Sequence, residues 1–465
     1  MNKYVVKYSG EISTKRTRTK WGMINRLYSN ILNALKFHNI KLNKGKAYWD
    51  FIYLDVDKEI TEILRHIPGI QYFSEVVLLN SADKEEIITT GFDVFKEGVQ
   101  GKKFAVRCRN KLSKDRRFRS KDIEIELGAK LFDYSDGVRL NDPDVTCHVE
   151  IRDAGTFFYW QKVKGLGGFP VGNTGTGIIL YSGGIDSPVA AYYAMRMGIK
   201  PVFVFFDLGG DEQKQKTVEI FRYQYAKYVP GLNVDFIEIP FLDMIQYIRG
   251  FAHKYQNLLL KYFFYKVAER LADRYKAQAV ITGEALGQVS TQTIENIILL
   301  DSYISYSVFR PVLFMPKLDI IAVAEETGTM EMSYKGKEYC AIATKNVATG
   351  GRKDIFDKII KEIDLEPVLD SILEKMKIMD YDTVVSGQLE EKENIPAEKE
   401  VVIVNLSKNK RYYVDNEMVM DLDTALKQYE SWDKTKHYKI MCDAGVQSKI
   451  LAEHMQEAGF TATVL

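Results

Sequence analysis

Alternating hydrophobic and polar positions divide the start of the chain into short strands and amphipathic helices. The elements predicted here are a strand over 3–8, a helix over 18–37, a strand over 47–56, a helix near 58–66 and a strand over 71–78. This β-α-β-α-β order is typical of a small ferredoxin-like unit. We therefore place an N-terminal α+β domain at residues 1–80.

A second α+β pattern covers residues 81–168. Its predicted elements are a helix over 84–96, a strand over 103–108, a helix over 120–133 and strands over 145–151 and 156–163. The glycine-rich run from Gly165 to Gly172 follows and is typical of a hinge.

From residue 176 onward, strands and helices alternate as in a doubly wound parallel sheet. Strands are predicted over 178–181, 201–206, 234–239 and 278–282, with helical patterns between them. Ligands of such sheets bind at the carboxyl ends of the strands, so the loops that follow these strands are the candidate site. We place this domain at 169–386.

The last part of the chain predicts one more small α/β unit. A helix is expected over 354–378, and the polar residues 387–400 are typical of a linker. The final domain, linker included, is placed at 387–465.

Composition indicates a soluble protein of several domains. The chain has 465 residues, of which 46% are hydrophobic and 27% charged. It contains no apolar run of about 18 residues, and its first residues lack the pattern of a signal peptide. We therefore expect no membrane association and a cytoplasmic location.

The charge is distributed unevenly. Residues 1–50 hold eleven Lys and Arg against Glu11 and Asp50, and residues 101–120 hold nine against Asp115, although the whole chain has a net charge of +1. A basic front half indicates a polyanionic partner such as RNA, with a solvated charged face as the alternative. Phe104 and Phe118, which lie among the basic residues of the second segment, would fit RNA contact.

The most informative motif is Ser-Gly-Gly-Ile-Asp-Ser at 182–187, which follows an apolar strand and precedes a helix. Ser187 is expected to cap the helix, and Pro188 fits its first turn. Gly183 and Gly184 let the backbone approach a ligand with its N–H groups turned inward. Such a turn at a helix N-terminus binds anions, phosphate above all, and is too specific for an ordinary strand–helix turn.

A second polar loop, Thr282 to Thr293, follows the strand at 278–282 and belongs on the same ligand face, unless it is a generic loop. Lys261, on a predicted amphipathic helix, could reach a phosphate as a point charge, although a lone helix lysine is usually solvated.

The chain has four cysteines, and none of them stands in a C-x-x-C pair, so no metal site is predicted. Cys108 and Cys147 lie in predicted strands and are expected to be buried thiols. Cys442 opens a Cys-x-x-Gly-x-x-Ser turn that leads into a helix, a setting that favours a thiolate or persulfide over a structural cysteine. Nothing local distinguishes Cys340.

These motifs together resemble the tRNA 4-thiouridine synthetase family, in its long form with a rhodanese-like domain. The loop at 182–187 is similar to the signature of PP-loop ATP pyrophosphatases. The other motifs of the resemblance are Gly10 to Ile12, Asn141 to Val145, Gly165 to Pro170, Phe205 to Gly210, Thr282 to Thr293, Glu338 to Cys340 and the Cys442 turn.

The resemblance implies an α/β multidomain fold: a ferredoxin-like domain, a THUMP RNA-binding domain, a doubly wound PP-loop domain and a small rhodanese-like domain. It implies ATP and Mg²⁺ as cofactors and Asp186 as a catalytic residue. The residues it assigns to the nucleotide are Leu180, Tyr181, Ser182, Gly183, Gly184, Ser187, Phe205, Phe206, Lys261, Gly283 and Gln292.

The resemblance also implies the reaction. The C4 oxygen of the uridine at position 8 of a tRNA would be adenylated, and sulfur from a Cys442 persulfide would give 4-thiouridine. Cys340 would form a transient disulfide with Cys442. A cysteine desulfurase would donate the sulfur; a homodimer and a second role with a sulfur carrier in thiamine synthesis are further implications.

Two other interpretations stay open from the residues alone. One is a PP-loop ligase or amidotransferase that acts on another RNA or small molecule, with a C-terminal domain used only for docking. The other is an RNA-binding protein with an inactive nucleotide fold, which the intact 182–187 motif disfavours.

Overall fold

The computed structural model describes residues 2–112, 118–208, 211–251, 253–334, 347–386, 401–406, 417–441 and 446–464. The chain forms two compact units, Met1–Lys392 and Glu393–Leu465. Within the described ranges, no helix combines the length and the apolar character needed to cross a membrane.

The first elements of the larger unit build an antiparallel sheet. In chain order they are β1 (Asn2–Tyr8), α1 (Gly10–Ser13), α2 (Thr17–Phe37), β2 (Leu42–Ala47), β3 (Ile52–Val56), α3 (Thr61–His66) and β4 (Ile70–Glu75). The strand order β2-β3-β1-β4 is that of a ferredoxin-like fold. One stripe of α2, with Ile24, Leu27 and Ile31 fully buried, packs on this sheet.

The single strand predicted over 47–56 is wrong, because the chain forms the hairpin β2–β3 there. The strand β2 lies at the edge of the sheet and exposes Lys44 and Lys46, so it lacks the apolar alternation that reveals a strand.

The next elements form a second sheet. They are β5 (Val77–Leu79), α4 (Lys84–Phe95), β6 (Phe104–Asn110), α5 (Ser120–Phe132), β7 (Val145–Arg152), β8 (Gly155–Tyr159) and β9 (Val163–Lys164). The order is β5-β8-β7-β6, with β6 and β7 parallel, whereas β9 returns to pair with β4 of the first sheet. The strands predicted over 71–78 and 156–163 are therefore each divided between the two sheets.

A buried ionic network joins these two sheets. The Lys7 ammonium on β1 lies 2.6 Å from a Glu150 carboxylate oxygen on β7. Glu150 also pairs with Arg152, whose guanidinium contacts Asp50 at 2.5 Å, in the turn between β2 and β3. The first and second sheets are thus connected by charge as well as by apolar packing.

A six-stranded sheet forms the largest part of the unit. Its elements are β10 (Thr176–Leu180), α6 (Asp186–Arg196), β11 (Lys200–Asp207), α7 (Asp211–Tyr228), β12 (Phe236–Pro240), α8 (Leu242–Arg249), α9 (Gln256–Tyr275), β13 (Ala279–Ile281), α10 (Ile294–Asp301), β14 (Ser307–Phe309), α11 (Lys317–Thr327), α12 (Met330–Tyr334), α13 (Lys353–Lys361), α14 (Leu365–Glu374), β15 (Lys377–Met379) and α15 (Tyr381–Ser386).

The strand order is β14-β13-β10-β11-β12-β15, and all neighbours are parallel except the edge strand β15. The helices α6 and α7 pack on one face through residues such as Ala190 and Phe221, and α9 packs on the other through Leu259 and Phe263. The predicted doubly wound sheet is confirmed. The order reverses between β10 and β13, which is where such sheets bind ligands.

The helix predicted over 354–378 is wrong, because that stretch contains α13, α14 and the strand β15. Pro367 lies in the first turn of α14, where proline is tolerated, and it would disrupt the interior of one long helix. The short edge strands β14 and β15 were not predicted.

The smaller unit is a parallel α/β sheet. Its elements are β16 (Val401–Asn405), β17 (Glu417–Val419), α16 (Leu422–Gln428), β18 (His437–Met441), α17 (Val446–Glu457) and β19 (Thr461–Val464). The order is β17-β16-β18-β19, and Val404, Ile440 and Leu451 are fully buried in its core.

Candidate nucleotide site

A cleft of about 220 Å³ opens at the carboxyl ends of β10, β11 and β13. Most of the predicted nucleotide residues lie in its wall: Leu180, Tyr181, Ser182, Gly184, Asp186, Ser187, Phe206, Lys261, Gly283 and Gln292. A larger groove of about 480 Å³ between α5 and β6 is lined mainly by apolar side chains and has none of this chemistry.

The loop at 182–187 is closed by its two serines. The Ser187 hydroxyl accepts a hydrogen bond from the Ser182 N–H at 2.9 Å and donates to the Ser182 carbonyl at 3.0 Å. The predicted N-cap role of Ser187 is wrong, because α6 begins at Asp186 and Ser187 lies in its first turn. The two serines hold the loop in a fixed curve at the start of the helix.

Two glycines keep this loop tightly packed. A Cβ on Gly283 would lie 2.6 Å from the Ser187 nitrogen, so only glycine lets the second loop approach so closely. Gly183 does not line the cleft. Its α-carbon faces α7, where a Cβ would lie 2.6 Å from Cε of Lys216.

The two phenylalanines at the end of β11 point to opposite faces, as consecutive strand residues do. Phe206 lines the cleft and stacks on Phe264, with ring centroids 4.1 Å apart. Phe205 lies instead in the core on the α7 side, near Phe236. The cleft therefore has one flat aromatic wall, which suits a nucleotide base.

Glu284, which the sequence analysis did not single out, organises the cations of the cleft. Its carboxylate lies 3.0 Å from the Lys261 ammonium and 2.8 Å from Nε of Arg310, and it accepts a hydrogen bond from Tyr265. Burial raises the pKa of Glu284, but Lys261 and Arg310 outweigh burial and hold that pKa at about 2. Lys261 is thus fixed in the wall by a permanently charged partner.

The sequence did not point to Lys317 either, although its side chain reaches the loop at 182–187. At the start of α11, its ammonium lies 2.7 Å from the Asp186 carboxylate. The two residues are 131 positions apart, and only the sheet topology brings them together. Lys261 therefore lines the cleft, and Lys317 lies beside the cleft through its contact with Asp186.

Two buried amide atoms of the second loop have no hydrogen-bond partner within the described part of the chain: Oε1 of Gln292, which lines the cleft, and Nε2 of Gln288. A buried polar atom without a partner costs free energy, which a bound ligand would recover. With the anion-binding loop and the aromatic wall, these groups fit a nucleotide such as ATP.

Asn296 on α10 ties the second loop to a later part of the chain. Its side-chain amide donates to the carbonyls of Ser290 and Ala348, at 2.6 and 2.8 Å, and its oxygen accepts from the Gly351 N–H at 2.8 Å. On the other side of the cleft, the Ser333 hydroxyl contacts the Gly184 carbonyl at 3.4 Å.

The cysteines fall into two groups. Cys108 and Cys147 are buried and free, as predicted, and burial raises the pKa of both thiols to about 12. Cys340 and Cys442 lie outside the described residues.

Among the described residues, no group of three or more His, Cys, Asp or Glu side chains could hold a metal ion.

The two basic segments meet at the turn between β2 and β3. Asp50 in this turn lies 3.4 Å from the Lys111 ammonium, so residues 1–50 and 101–112 adjoin. Trp49 beside it is 42% exposed, and the Lys20 ammonium lies 4.1 Å from the centre of its ring. Phe104 is fully buried in the core of the second sheet, so its predicted RNA contact is wrong. Phe118 packs against that core.

Family models match two parts of the chain. One, described as "Thiamine biosynthesis protein (ThiI)", matches residues 172–365, and the other, "ThiI ferredoxin-like domain", matches residues 3–74. The first contains the cleft and the second contains the first sheet.

Two curated relatives are similar over most of their length. The tRNA sulfurtransferase of Pseudomonas putida is 30% identical over 478 residues, which cover 98% of both proteins. A probable tRNA sulfurtransferase of Saccharolobus islandicus is 34% identical over 375 residues, which cover 79% of this chain and 98% of that protein.

A solved structure is similar in fold and sequence. It is the crystal structure of a 4-thiouridine synthetase–RNA complex with bound ATP, with a TM-score of 0.73 and 27% identity. The match covers 82% of this chain and 99% of the other.

Proposed function

Because the chain belongs to the ThiI family of tRNA sulfurtransferases, we propose that it uses ATP to replace the C4 oxygen of a tRNA uridine, at position 8, with sulfur. The observation that carries the proposal is the serine-closed loop at 182–187, which opens into a cleft that Lys261 lines. The similar synthetase structure with RNA and ATP supports the same nucleotide and the same class of substrate.

Each part of the cleft has a role in this proposal. The backbone N–H groups of the loop and the start of α6 bind phosphate oxygens. Lys261 adds a positive charge in the wall of the cleft, and Lys317 adds another beside Asp186. Phe206 and the unpartnered amide oxygen of Gln292 contact the base.

The C4 oxygen of uridine attacks the α-phosphate of ATP and pyrophosphate leaves, so that the oxygen can later depart from C4 with AMP. The side chain of Asp186 orients Lys317 and lies at the entrance of the loop. Mg²⁺ would be held mainly by the phosphates, with Asp186 as the nearest carboxylate of the loop.

The sulfur would be carried by the cysteine pair. Cys442 holds a sulfane sulfur received from a cysteine desulfurase. The Cys340 thiolate attacks the inner sulfur of that persulfide, which forms a Cys340–Cys442 disulfide and releases hydrosulfide. The hydrosulfide adds to C4, AMP leaves, and a thiol reductant restores both cysteines.

The basic surface around the β2–β3 turn would bind the tRNA. Lys111 and the lysines of β2 lie there with Trp49, a combination of charge and exposed aromatic surface that suits RNA. We also propose that the protein is cytoplasmic, that it forms a homodimer, and that it has a second role with a sulfur carrier in thiamine synthesis.

Nucleoside analysis tests the reaction directly. The enzyme is incubated with unmodified tRNA, ATP, Mg²⁺, a cysteine desulfurase and cysteine, and 4-thiouridine is measured after digestion. Formation of 4-thiouridine only when ATP and the desulfurase are both present supports the proposal. Thiolation without ATP, or an amidated or ligated product instead, contradicts it.

The variant Asp186→Ala tests the site. It removes the partner of Lys317 at the loop, so AMP formation that depends on tRNA should be lost while the circular dichroism spectrum is unchanged. Asp319→Ala, an exposed carboxylate two residues from Lys317, is the matched control and should keep the wild-type rate. Wild-type AMP formation by Asp186→Ala would show that the site is assigned wrongly.

A further inference from the structure

A buried lysine lies directly behind the nucleotide loop, on the side away from the cleft. Lys216 on α7 is 6% exposed, and its side chain packs against the α-carbon of Gly183. It does not line the cleft, so none of the roles assigned above includes it. Its position explains why residue 183 has no side chain: the lysine occupies that space.

The charge of Lys216 has little to balance it. Over the described residues, its ammonium has one hydrogen bond, to the Ser333 carbonyl at 3.4 Å, and no ion pair. Other buried cations of the unit have a partner: Lys7 pairs with Glu150, Arg310 pairs with Glu284, and the Lys20 ammonium lies over the Trp49 ring. Since a buried ammonium without a counter-charge is unfavourable, a role beyond packing is needed to account for it.

The surroundings of Lys216 belong to the loop rather than to solvent. Ser333, which accepts its hydrogen bond, contacts the Gly184 carbonyl with its own hydroxyl at 3.4 Å. The neighbouring Thr217 lies against Gly183 from the same helix. Gly184 and Ser182 face the cleft on the other side of the loop. The backbone at Gly183 therefore lies between the side chain of Lys216 and the cleft.

We propose that Lys216 is a positioning residue whose charge is balanced when the phosphates of the nucleotide bind on the opposite face of the loop. This inference rests on the proposed function, because it requires a polyphosphate in the cleft. The lysine acts through the electrostatic potential at the loop and through the packing of Gly183, without touching the ligand. It strengthens the binding of the pyrophosphate part of the nucleotide and does not affect the binding of the base.

Three variants separate charge from packing. Lys216→Met keeps most of the side-chain volume and removes the charge, and Lys216→Arg keeps the charge. Lys227→Met is the control, since Lys227 is a partly buried lysine at the far end of the same helix, bonded to Tyr223 and Thr327. The binding of inorganic pyrophosphate and of adenosine to each full-length protein is measured by calorimetry, together with the thermal midpoint with and without each ligand.

Lys216→Met should bind pyrophosphate about tenfold more weakly, as expected for the loss of one partly screened charge near an anion. Its affinity for adenosine should not change, and its midpoint without ligand should stay the same or rise, because an unbalanced buried charge has been removed. Lys216→Arg should recover part of the pyrophosphate affinity, and Lys227→Met should bind both ligands like the wild type.

The outcomes separate this inference from the proposed function. If the wild type gains no stability from either pyrophosphate or adenosine, the nucleotide site itself is wrong, and this inference falls with it. If the wild type is stabilised and Lys216→Met is stabilised equally, only the role of Lys216 is overturned. A lower midpoint with equal losses of pyrophosphate and adenosine binding would also overturn it, because Lys216 would then only support the fold.

Discussion

At the scale of single residues, the cleft depends on carboxylates that hold cations in place. Glu284 is 2% exposed and forms ion pairs with both Lys261 and Arg310. The Arg310 guanidinium forms a second ion pair with Asp301. Removing one partner of such a buried set leaves the remaining charges without a counter-charge. The resulting loss in free energy of unfolding is larger than the net contribution of the intact ion pair.

We therefore expect Glu284→Gln to destabilise the protein by about 3 kcal/mol and to raise the KM for ATP, since Lys261 loses its fixed position. Urea denaturation and steady-state kinetics measure the two effects. Glu366→Gln is the control, because Glu366 forms an exposed pair with Arg270 and should cost less than about 1 kcal/mol. Equal stability of both variants would contradict the account.

Sequence reasoning found the residues of the cleft that are close together in the chain. The motifs at 182–187 and 282–293 place their side chains at neighbouring strand ends, because β10 and β13 are adjacent in the sheet. It could not find Lys317 or Arg310, since neither stands in a local pattern and both reach the site only through the sheet order. It also grouped Phe205 with Phe206, although the twofold alternation of a strand separates them.

At the scale of elements, the strongly periodic helices and the buried strands were predictable, and the edges were not. The run Val202 to Phe206 on β11 is buried on both faces and shows continuous hydrophobicity, as central parallel strands do. The edge strands β2, β14 and β15 expose polar residues or are only three residues long, so their pattern is weak. The domain limits at 80, 168 and 386 remain predictions.

The ionic network between the first two sheets predicts a pH dependence. Burial lowers the pKa of Lys7 to about 8, although Glu150 acts in the opposite direction. Between pH 8 and 10.5 the unfolded chain therefore binds more protons at this lysine than the folded chain does, and the folded state gains stability as the pH rises.

Relative to Lys7→Met, the wild type should gain up to about 3 kcal/mol of unfolding free energy between pH 7.5 and 10.5. Urea denaturation of both proteins across this pH range gives the difference in their unfolding free energies. The titration of groups that the two proteins share cancels in this difference. A difference that is constant or falls with pH would show that Lys7 titrates normally.

At the scale of the whole molecule, the basic segments make the affinity for tRNA dependent on salt. Each phosphate contact contributes a slope of roughly −0.7 to −0.9 in a plot of log affinity against log salt. Lys44 and Lys46 are exposed on β2, so Lys44→Gln with Lys46→Gln should reduce the slope by about one to two. Lys358→Gln with Lys361→Gln on α13 is the control. Filter binding at several salt concentrations measures the slope, and equal slopes would exclude this face.

The cysteine pair predicts two distinct defects. Cys442→Ala should not accept sulfur from a desulfurase, whereas Cys340→Ala should load normally and fail to turn over without added reductant. Peptide mapping after one turnover should show the Cys340–Cys442 disulfide in the wild type, with Cys108→Ala as the matched control. Normal thiouridine formation by Cys340→Ala without reductant would exclude the pair.

The contacts of Ser333 and Asn296 have a kinetic consequence. They attach the chain to the cleft on both sides of the stretch that contains Cys340, at Gly184 before it and through Ala348 and Gly351 after it. Any residue between these two attachments therefore lies no farther from the nearer one than roughly 3.5 Å for each intervening residue, because a chain cannot exceed its extended length. Under the proposed mechanism, Cys340 and Cys442 belong to one chain, so their encounter is a first-order step whose rate does not fall when the enzyme is diluted.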